Sequence, residues 1–240
     1  MPGMRTECRQ SFRRHSDRYL PTLVLKMGSD EENERLAYPS FWDQRYAQAE
    51  GDRPTHEWFR NFAELESFLD RRLFQTRSPD TIPRLLHLGS GDSDVPVGLW
   101  EKGYKNQLCV DFSTVVVELM SKRHASMDGI EWKHGDVRHL DDLPEKSIDV
   151  AFDKGTLDAM IHGSPWSPPD DVKQNTSQYI REVNRVLKDD GVFLYVTYRQ
   201  PHFIRPLLNC EGTNWEIDME VLGDGSGFGY HGFILTKAKP

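Results

Sequence analysis

The chain has 240 residues, 37% of them hydrophobic and 28% charged, which excludes a disordered protein and suits one α/β domain with a short extension. It contains no apolar run of about 18 residues and only three scattered cysteines, so we expect neither a membrane-spanning segment nor a disulfide framework, and no Cys or His spacing predicts a metal site. The formal net charge of −8 argues against general nucleic-acid binding and is compatible with a basic protein partner.

The N-terminal region differs in charge from the rest of the chain. Residues 1–37 are predicted to form a flexible extension, and residues 38–240 the folded domain. Residues 1–28 carry six basic side chains against two acidic ones, and residues 29–34 follow as an acidic, solvated linker. A basic N-terminus is typical of a mitochondrial presequence, but its two acids favour a cytosolic tail. We therefore expect a cytoplasmic protein, with mitochondrial import as the alternative.

Strand-like and helix-like segments alternate along the domain. Apolar residues at helical spacing predict an amphipathic helix over residues 57–74. Short apolar runs are typical of buried parallel strands, and they occur at residues 84–88, 107–110, 130–133, 148–152 and 192–198. Helices are predicted between these runs, at residues 94–102, at residues 113–124 and from Val172 to Leu187.

The end of the chain carries two more strand-like runs, residues 216–222 and 231–237. The glycine-rich turn at residues 223–227 is too short for a crossover, so these runs are predicted to form an antiparallel hairpin. The pattern as a whole predicts the α/β class. We expect a Rossmann-like, doubly wound, mostly parallel sheet of seven strands that ends in an antiparallel hairpin.

Three features at successive strand ends point to a nucleoside site. Gly89 and Gly91 directly follow the first strand, where glycine lets the backbone turn tightly and approach a ligand. Asp111 ends the second strand roughly 20 residues after Gly89, a spacing at which an acid binds ribose hydroxyls. Asp136 ends the third strand, where it would meet an adenine amino group while Val137 packs on the ring. Separately, Asp111 could be a helix-capping acid and Asp136 a turn residue.

The third glycine of a dinucleotide-binding loop is absent, because Asp94 takes its position. A carboxylate there would repel a pyrophosphate. S-adenosylmethionine carries no phosphate, and its sulfonium is positive. The loop therefore favours S-adenosylmethionine over NAD or FAD as the cofactor.

A family resemblance makes this prediction more specific. Its motifs occur in order at Phe41–Tyr46, Glu57–Phe59, Leu88–Gly91, Asp111–Ser113 and Asp153–Ala159. The set resembles the class I, methyltransferase-like protein-lysine methyltransferases, closest to the type that modifies translation elongation factor 1-alpha, with the citrate synthase lysine methyltransferase as a cousin. The resemblance covers residues 38–240, and the segment Asp-Lys-Gly-Thr-Leu-Asp is its most specific part.

The resemblance implies a cofactor site for S-adenosylmethionine. It places aromatic residues over the cofactor, Gly89 at its methionine moiety, Asp111 on its ribose and Lys154 at its methionine end. The complete implied set is Trp42, Tyr46, Trp58, Gly89, Asp111, Phe112, Asp136, Val137 and Lys154. In that set Phe112 stacks on the adenine. One departure from many class I enzymes is His87, which stands where they carry an acid two residues before the first glycine.

The acceptor implied by the resemblance is a lysine on a basic protein such as elongation factor 1-alpha, and we expect the enzyme to be a monomer. Asp153 and Asp158 are the candidate catalytic acids that would orient the amine or relay its proton, although Asp158 could instead interact with a helix dipole. Residues 163–171, with Trp166, and residues 201–206 are predicted to border the acceptor. A small-molecule methyltransferase and a non-catalytic cofactor-binding protein remain the alternatives.

Overall fold

A computed structural model describes residues 30–48, 57–223 and 229–239 of the chain. Most of the predicted N-terminal extension and the predicted glycine-rich turn lie outside the described residues. Across the part of the chain that the structure describes, no helix is long and apolar enough to cross a membrane.

One seven-stranded sheet forms the centre of the domain. Its strands are β1 Leu85–Leu88, β2 Gln107–Asp111, β3 Ile130–His134, β4 Ile148–Lys154, β5 Leu187–Thr197, β6 Trp215–Leu222 and β7 Tyr230–Lys237. The spatial order is β3-β2-β1-β4-β5-β7-β6. The first five strands are parallel, and β7 pairs antiparallel with both β5 and β6. The predicted fold class, including the terminal antiparallel hairpin, is confirmed.

Helices cover both faces of this sheet. They are α1 Asp30–Arg35, α2 Pro39–Tyr46, α3 Phe62–Leu69, α4 Val95–Glu101, α5 Thr114–Arg123, α6 Thr156–Ala159, α7 Asp170–Val186 and α8 Pro201–Leu208. A π-helical turn at Asp70–Phe74 extends α3, and a short 3₁₀ turn lies at Pro79–Thr81. Ser113 caps α5 by accepting a hydrogen bond from the Val116 N–H, as its sequence position predicts.

The predicted helix at residues 57–74 begins five residues later than expected. Asn61 accepts a hydrogen bond from the Glu64 N–H, and the Glu64 carboxylate accepts one from the Asn61 N–H. This capping box fixes the start of α3 at Phe62. Residues 57–60 therefore lie outside the helix, and Glu57 and Trp58 contact Lys154 at the end of β4 instead.

Four short helices, α1, α2, α6 and α8, were not among the predicted helices. The segment at residues 29–34 has no apolar periodicity and was interpreted as a solvated linker, yet residues 30–35 are helical. In α8, Pro201 lies in the first turn, where its missing N–H costs nothing, but Pro206 lies inside the helix. Strand β5 also begins at Leu187 rather than Val192, because Leu187 pairs with Ile148 before a register shift.

The hydrophobic core lies on both faces of the sheet. On one face Phe193 and Phe233 belong to a cluster that includes Tyr179, Ile180 and Val183 of α7. On the other face α3 and α4 cover the strands. A third cluster packs α2 against α5, and the Ser113 hydroxyl donates a 2.6 Å hydrogen bond to the Asp43 carboxylate across that contact. This contact holds α2 over the carboxyl ends of the strands.

Candidate active site

A cleft runs across the carboxyl ends of β1 to β5. Its volume is about 1320 Å³, including the part that opens to solvent. Because the strand order is β3-β2-β1-β4-β5, the cleft has a β2–β3 end, which contains Asp111 and Asp136, and a β4–β5 end, which contains Lys154 and Asp158. Open α/β sheets bind ligands at this edge.

The glycine loop after β1 forms the middle of the cleft. Gly89 has φ 62° and Gly91 has φ 53°, both in the left-handed region. A Cβ on Gly89 would lie 2.1 Å from the Thr156 Oγ1, and one on Gly91 would lie 2.7 Å from the Tyr46 Oη. Only glycine fits both positions, so backbone rather than side chain faces a ligand here.

Asp111 is held entirely by backbone. Its Oδ2 accepts a 2.8 Å hydrogen bond from the Gly91 N–H, and its Oδ1 accepts a 2.9 Å hydrogen bond from the Ser113 N–H. Burial raises the pKa of Asp111 to about 6 despite these bonds. Each carboxylate oxygen has lone-pair capacity beyond its one backbone bond, so Asp111 suits a ligand that donates two hydroxyl groups.

Asp136 is already engaged by a neighbouring side chain. Arg138 donates to both of its oxygens, with Nη2 at 2.6 Å from Oδ2 and Nε at 3.0 Å from Oδ1. Burial raises the pKa of Asp136, but the hydrogen bonds from Arg138 outweigh burial and hold that pKa below its usual range. Val137 and Phe112 line the same end of the cleft. A ligand amino group would therefore share Asp136 with Arg138.

Aromatic residues from the N-terminal segments form one wall. Trp42 stacks on Tyr46 at 5.9 Å between centroids and meets Trp58 edge-on at 5.6 Å. The Trp42 indole N–H donates to the Leu36 carbonyl at 2.7 Å. All three rings line the cleft, as do Asn33, Leu36 and Ala37. The predicted domain boundary after residue 37 therefore falls inside this wall.

Lys154 ends β4 and is tied to residues 57 and 58. Its ammonium contacts the Glu57 carboxylate and donates a 2.8 Å hydrogen bond to the Trp58 carbonyl. The Glu57 carboxylate also accepts from the Ser93 hydroxyl and the Asp94 N–H, both at 2.9 Å. Glu57 thus joins the N-terminal segment, the glycine loop and β4. The sequence did not single out Glu57, although it stands in the Glu57–Phe59 motif.

The predicted role of Asp94 needs correction. Its carboxylate accepts a 2.9 Å hydrogen bond from the Phe62 N–H and does not line the cleft. Burial and the neighbouring Glu57 raise the pKa of Asp94 to about 6. The acid of this loop that lines the cleft is Asp92, which is buried. The argument against a pyrophosphate therefore rests on Asp92.

The two candidate catalytic acids occupy different positions. Asp158 lines the β4–β5 end, and its carboxylate accepts hydrogen bonds from the Tyr195 hydroxyl at 2.7 Å and the Thr197 hydroxyl at 2.6 Å. The Arg199 Nε lies 3.3 Å from the same carboxylate. Burial raises the pKa of Asp158 even though Arg199 opposes this shift.

Asp153 does not line the cleft, and this placement contradicts a direct role at the reacting atoms. Its oxygens accept hydrogen bonds from the Thr156 and Leu157 N–H groups at the start of α6 and from the Tyr179 hydroxyl at 2.7 Å. Burial raises the pKa of Asp153 to about 7. Its position is that of a buried acid that caps α6 and joins it to α7.

The predicted acceptor border lies beside the cleft rather than in its lining. Trp166 is 81% exposed and packs edge-on against Phe203 of α8, with 4.8 Å between centroids. Neither ring lines the cleft. Met160 and Arg199, which lie next to these segments along the chain, do line it.

The charge of the lining is predominantly acidic. Five acids line the cleft, Glu57, Asp92, Asp111, Asp136 and Asp158, against the three bases Arg138, Lys154 and Arg199. Burial lowers the pKa of His87 to about 4, so this residue is neutral at pH 7. No group of three or more potential metal ligands occurs among the described residues. A positively charged ligand suits this lining better than a pyrophosphate does.

Comparison with known proteins agrees with this geometry. A family model for a methyltransferase domain matches residues 86–195. EEF1A lysine methyltransferase 4 of Mus musculus is 34% identical over 213 residues, which cover 87% of this chain and 79% of the relative. The Bos taurus protein of the same name is 33% identical over 201 residues, or 83% of this chain and 75% of the relative.

The chain belongs to the EEF1A lysine methyltransferase 4 family and is an S-adenosylmethionine-dependent methyltransferase. Two solved structures share the fold. A Leishmania major S-adenosylmethionine-dependent methyltransferase has a TM-score of 0.58 at 12% identity, with 84% of this chain and 86% of that chain covered. A TehB-like methyltransferase from Corynebacterium glutamicum has a TM-score of 0.54 at 14% identity, with 84% and 100% covered.

The residues of the cleft fit S-adenosylmethionine. The backbone at Gly89 and Gly91 leaves no room for side chains, and Asp111 presents two oxygens for hydroxyl groups. The neutral His87 below the loop places no positive charge near a sulfonium. The glycines leave space for the methionine moiety of the cofactor, Asp111 suits its ribose, and the neutral His87 suits its positive charge.

Proposed function

We propose that this protein methylates a lysine side chain of elongation factor 1-alpha or of a closely similar basic protein. The observation that carries this proposal is the 34% identity to mouse EEF1A lysine methyltransferase 4 over 87% of the chain. The solvent-open mouth and the acid-rich lining of the cleft support a cationic side chain presented by a large acceptor. A closed, apolar pocket would have favoured a small molecule.

The proposed cofactor orientation follows the order of the strands. Asp136, Val137 and Phe112 hold the adenine, Asp111 holds the ribose, and Gly89 and Lys154 lie at the methionine end. Trp42, Tyr46 and Trp58 cover the cofactor from the N-terminal side. When bound, S-adenosylmethionine supplies a methyl group from a positively charged sulfur to the acceptor nitrogen, which loses one proton.

The acceptor then enters at the β4–β5 end, because the remaining cleft is occupied by the cofactor. A free lysine has a pKa of about 10.4, so its amine must become neutral before it can attack. Partial burial and the nearby Arg199 cation both favour the neutral amine. We assign to Asp158 the role of orienting the amine through a hydrogen bond, and of receiving its proton.

We also propose that the active enzyme is a monomer, because one chain supplies both the cofactor-binding residues and Asp158. We further propose that the enzyme acts in the cytoplasm, where an elongation factor acceptor would be met. The formal net charge of −8 supports attraction to a basic acceptor at low ionic strength.

The proposal is tested with elongation factor 1-alpha purified from a strain that lacks this protein. We expect tritium from labelled S-adenosylmethionine to appear in the factor, and mass spectrometry to locate it on a lysine. The matched controls are the factor with that lysine replaced by arginine and the enzyme with Asp111 replaced by alanine. Label confined to small molecules of a cell extract would overturn the proposal, because it would identify a small-molecule methyltransferase.

A further inference from the structure

One turn beside the cleft has an unusual backbone. Phe59 has φ 62°, in the left-handed region that a bulky side chain rarely adopts. The Arg60 N–H donates a 2.8 Å hydrogen bond to the Trp58 carbonyl, which closes a three-residue γ-turn around Phe59. A γ-turn with positive φ at its centre is rare and strained. Strained residues of this kind cluster at functional sites, where the surrounding structure holds them in place.

The surrounding structure fixes this turn from both ends. The Trp58 carbonyl also accepts a hydrogen bond from Lys154 at 2.8 Å, and the preceding Glu57 contacts the same ammonium. Downstream, the capping box of Asn61 and Glu64 fixes the start of α3. The strained conformation therefore places the Phe59 ring rather than resulting from a loose loop.

The ring is placed against the β4–β5 end of the cleft. A Cβ on Gly155, which directly follows β4, would lie 3.2 Å from the Phe59 Cε2. The ring meets Tyr198, which directly follows β5, at 5.4 Å between centroids and an interplanar angle of 68°. Both Phe59 and Tyr198 line the cleft. Two aromatic rings from distant parts of the chain thus meet where the acceptor enters.

We propose that Phe59 and Tyr198 form the subsite that receives the side chain of the acceptor lysine, and that these two rings determine specificity for it. This inference rests on the proposed function. Aromatic rings pack well on the methylene stem of a lysine and attract its positive head through their negative faces. The Arg199 guanidinium lies 5.4 Å from the Tyr198 ring, so an ammonium that arrives beside this ring loses its proton more readily.

The two rings and the neighbouring carboxylate have different roles at this end of the cleft. The aromatic pair binds the lysine stem and head, whereas Asp158, which also lines this end, carries the hydrogen bond to the amine. Loss of a ring should therefore weaken acceptor binding and leave the cofactor bound as before. Loss of the carboxylate should act mainly on turnover.

The test compares Phe59→Leu and Tyr198→Leu with the matched control Tyr230→Leu. Tyr230 contacts the same Phe59 ring at 5.6 Å between centroids but does not line the cleft. We expect the KM for elongation factor 1-alpha to rise about five- to thirtyfold in the first two variants, the range of a cation–π contact. Calorimetry should give a cofactor Kd within about twofold of wild type in all three, since the rings are proposed to contact only the acceptor. Melting temperatures establish that each variant is folded.

Three outcomes would overturn the inference while the proposed function stands. An unchanged acceptor KM in both variants would show that the rings do not contact the lysine. An equal loss of cofactor affinity would assign them to the cofactor, and an equal loss in Tyr230→Leu would assign the effect to packing. If the wild-type enzyme leaves elongation factor 1-alpha unlabelled, the proposed function fails and this inference falls with it. If the wild-type enzyme labels the factor but the two variants keep the wild-type acceptor KM, the proposed function stands and only this inference is wrong.

Discussion

The two ends of the cleft hold their central carboxylates in different ways. At the β2–β3 end, Asp111 is fixed by the N–H groups of Gly91 and Ser113. At the β4–β5 end, Asp158 is fixed by the hydroxyls of Tyr195 and Thr197 and by the nearby Arg199. The first carboxylate depends on backbone that follows two strands, whereas the second depends on side chains from another strand and its loop.

This difference suggests a division of labour. Backbone donors at the β2–β3 end keep their positions whatever the side chains nearby, which suits a cofactor that is the same in every reaction. Side-chain partners at the β4–β5 end can change by single substitutions, which suits an acceptor that differs between enzymes. Substitutions at each end of the cleft test this division.

The largest expected effect is on turnover at the β4–β5 end. Asp158→Asn keeps the shape of the side chain but cannot receive a proton, so we expect kcat to fall about 100- to 1000-fold. The cofactor Kd should stay unchanged by calorimetry, because Asp158 is assigned to the acceptor. The matched variant is Asp153→Asn, in the buried acid that lies outside the cleft. It should lower the melting temperature and leave kcat nearly intact. An equal loss of kcat in both variants would mean that the α6 region acts only through packing.

Acid should destabilise the centre of the sheet through His87 of β1. Its pKa is lowered from 6.5 to about 4 in the folded protein, so the unfolded chain binds the proton more tightly. Stability from neutral His87 is therefore fully present above pH 6.5 and is lost as the pH falls towards 4. The loss at pH 4 should be about 3 kcal/mol. Urea unfolding of wild type and of His87→Gln, which retains a donor for Gln107, measures it.

Only the difference between those two proteins is diagnostic. The raised pKa values of Asp111 and Asp153 mean that the folded state binds protons in the same pH range, and that their ionisation lowers stability as the pH rises. These acids are common to both proteins and cancel in the comparison. A difference that stays constant from pH 7 to pH 4 would contradict the prediction for His87.

Most of the sheet and the β2–β3 end could be predicted from the sequence. The first three strands are short apolar runs, and a candidate cofactor-binding residue lies at or just after the end of each: Gly89, Asp111 and Asp136. The spacing alone brings these residues to one edge of a parallel sheet. The structure adds the Arg138 partner of Asp136, which lies two residues away but whose bidentate contact no pattern indicates.

The β4–β5 end could be predicted only in part. Asp153 and Asp158 belong to one motif, and local spacing does not show that one is covered by α7 while the other lines the cleft. The subsite between Phe59 and Tyr198 joins residues far apart in the sequence, and the strain at Phe59 is a property of the folded backbone. Glu57 was missed for the same reason, since its three partners lie on two other segments.

Cofactor binding at the β2–β3 end is tested by Asp111→Ala. Two hydrogen bonds to a buried carboxylate are lost, so the Kd for S-adenosylmethionine should rise about 100-fold. Calorimetry measures this change, and NAD should give no heat with either protein. The matched variant Asp136→Ala should raise the Kd less than about tenfold, because Arg138 already occupies that carboxylate. An equal rise of the cofactor Kd in the two variants would show that Arg138 releases the Asp136 carboxylate when the adenine binds.

The smallest expected effect concerns Glu57, which connects the two ends. Glu57→Gln removes the charge that holds Lys154 and keeps one acceptor oxygen, which is enough for the Asp94 N–H. Lys154 would lose its orientation at the methionine end, and the lining would lose one acid that attracts a sulfonium. We expect the cofactor Kd to rise about tenfold, or about 1.4 kcal/mol. Calorimetry at low and high salt separates the two causes, because only the long-range attraction is screened.

The control is Glu64→Gln, which removes a charge nearby but outside the cleft lining and retains the acceptor of the capping box. Its cofactor Kd should match wild type. Tighter cofactor binding in Glu57→Gln would reverse the interpretation, because it would mean that Glu57 competes with the cofactor carboxylate for the Lys154 ammonium. In that case the contact between Glu57 and Lys154 would belong to the cofactor-free enzyme, and the turn at Phe59 would be expected to rearrange when the cofactor binds.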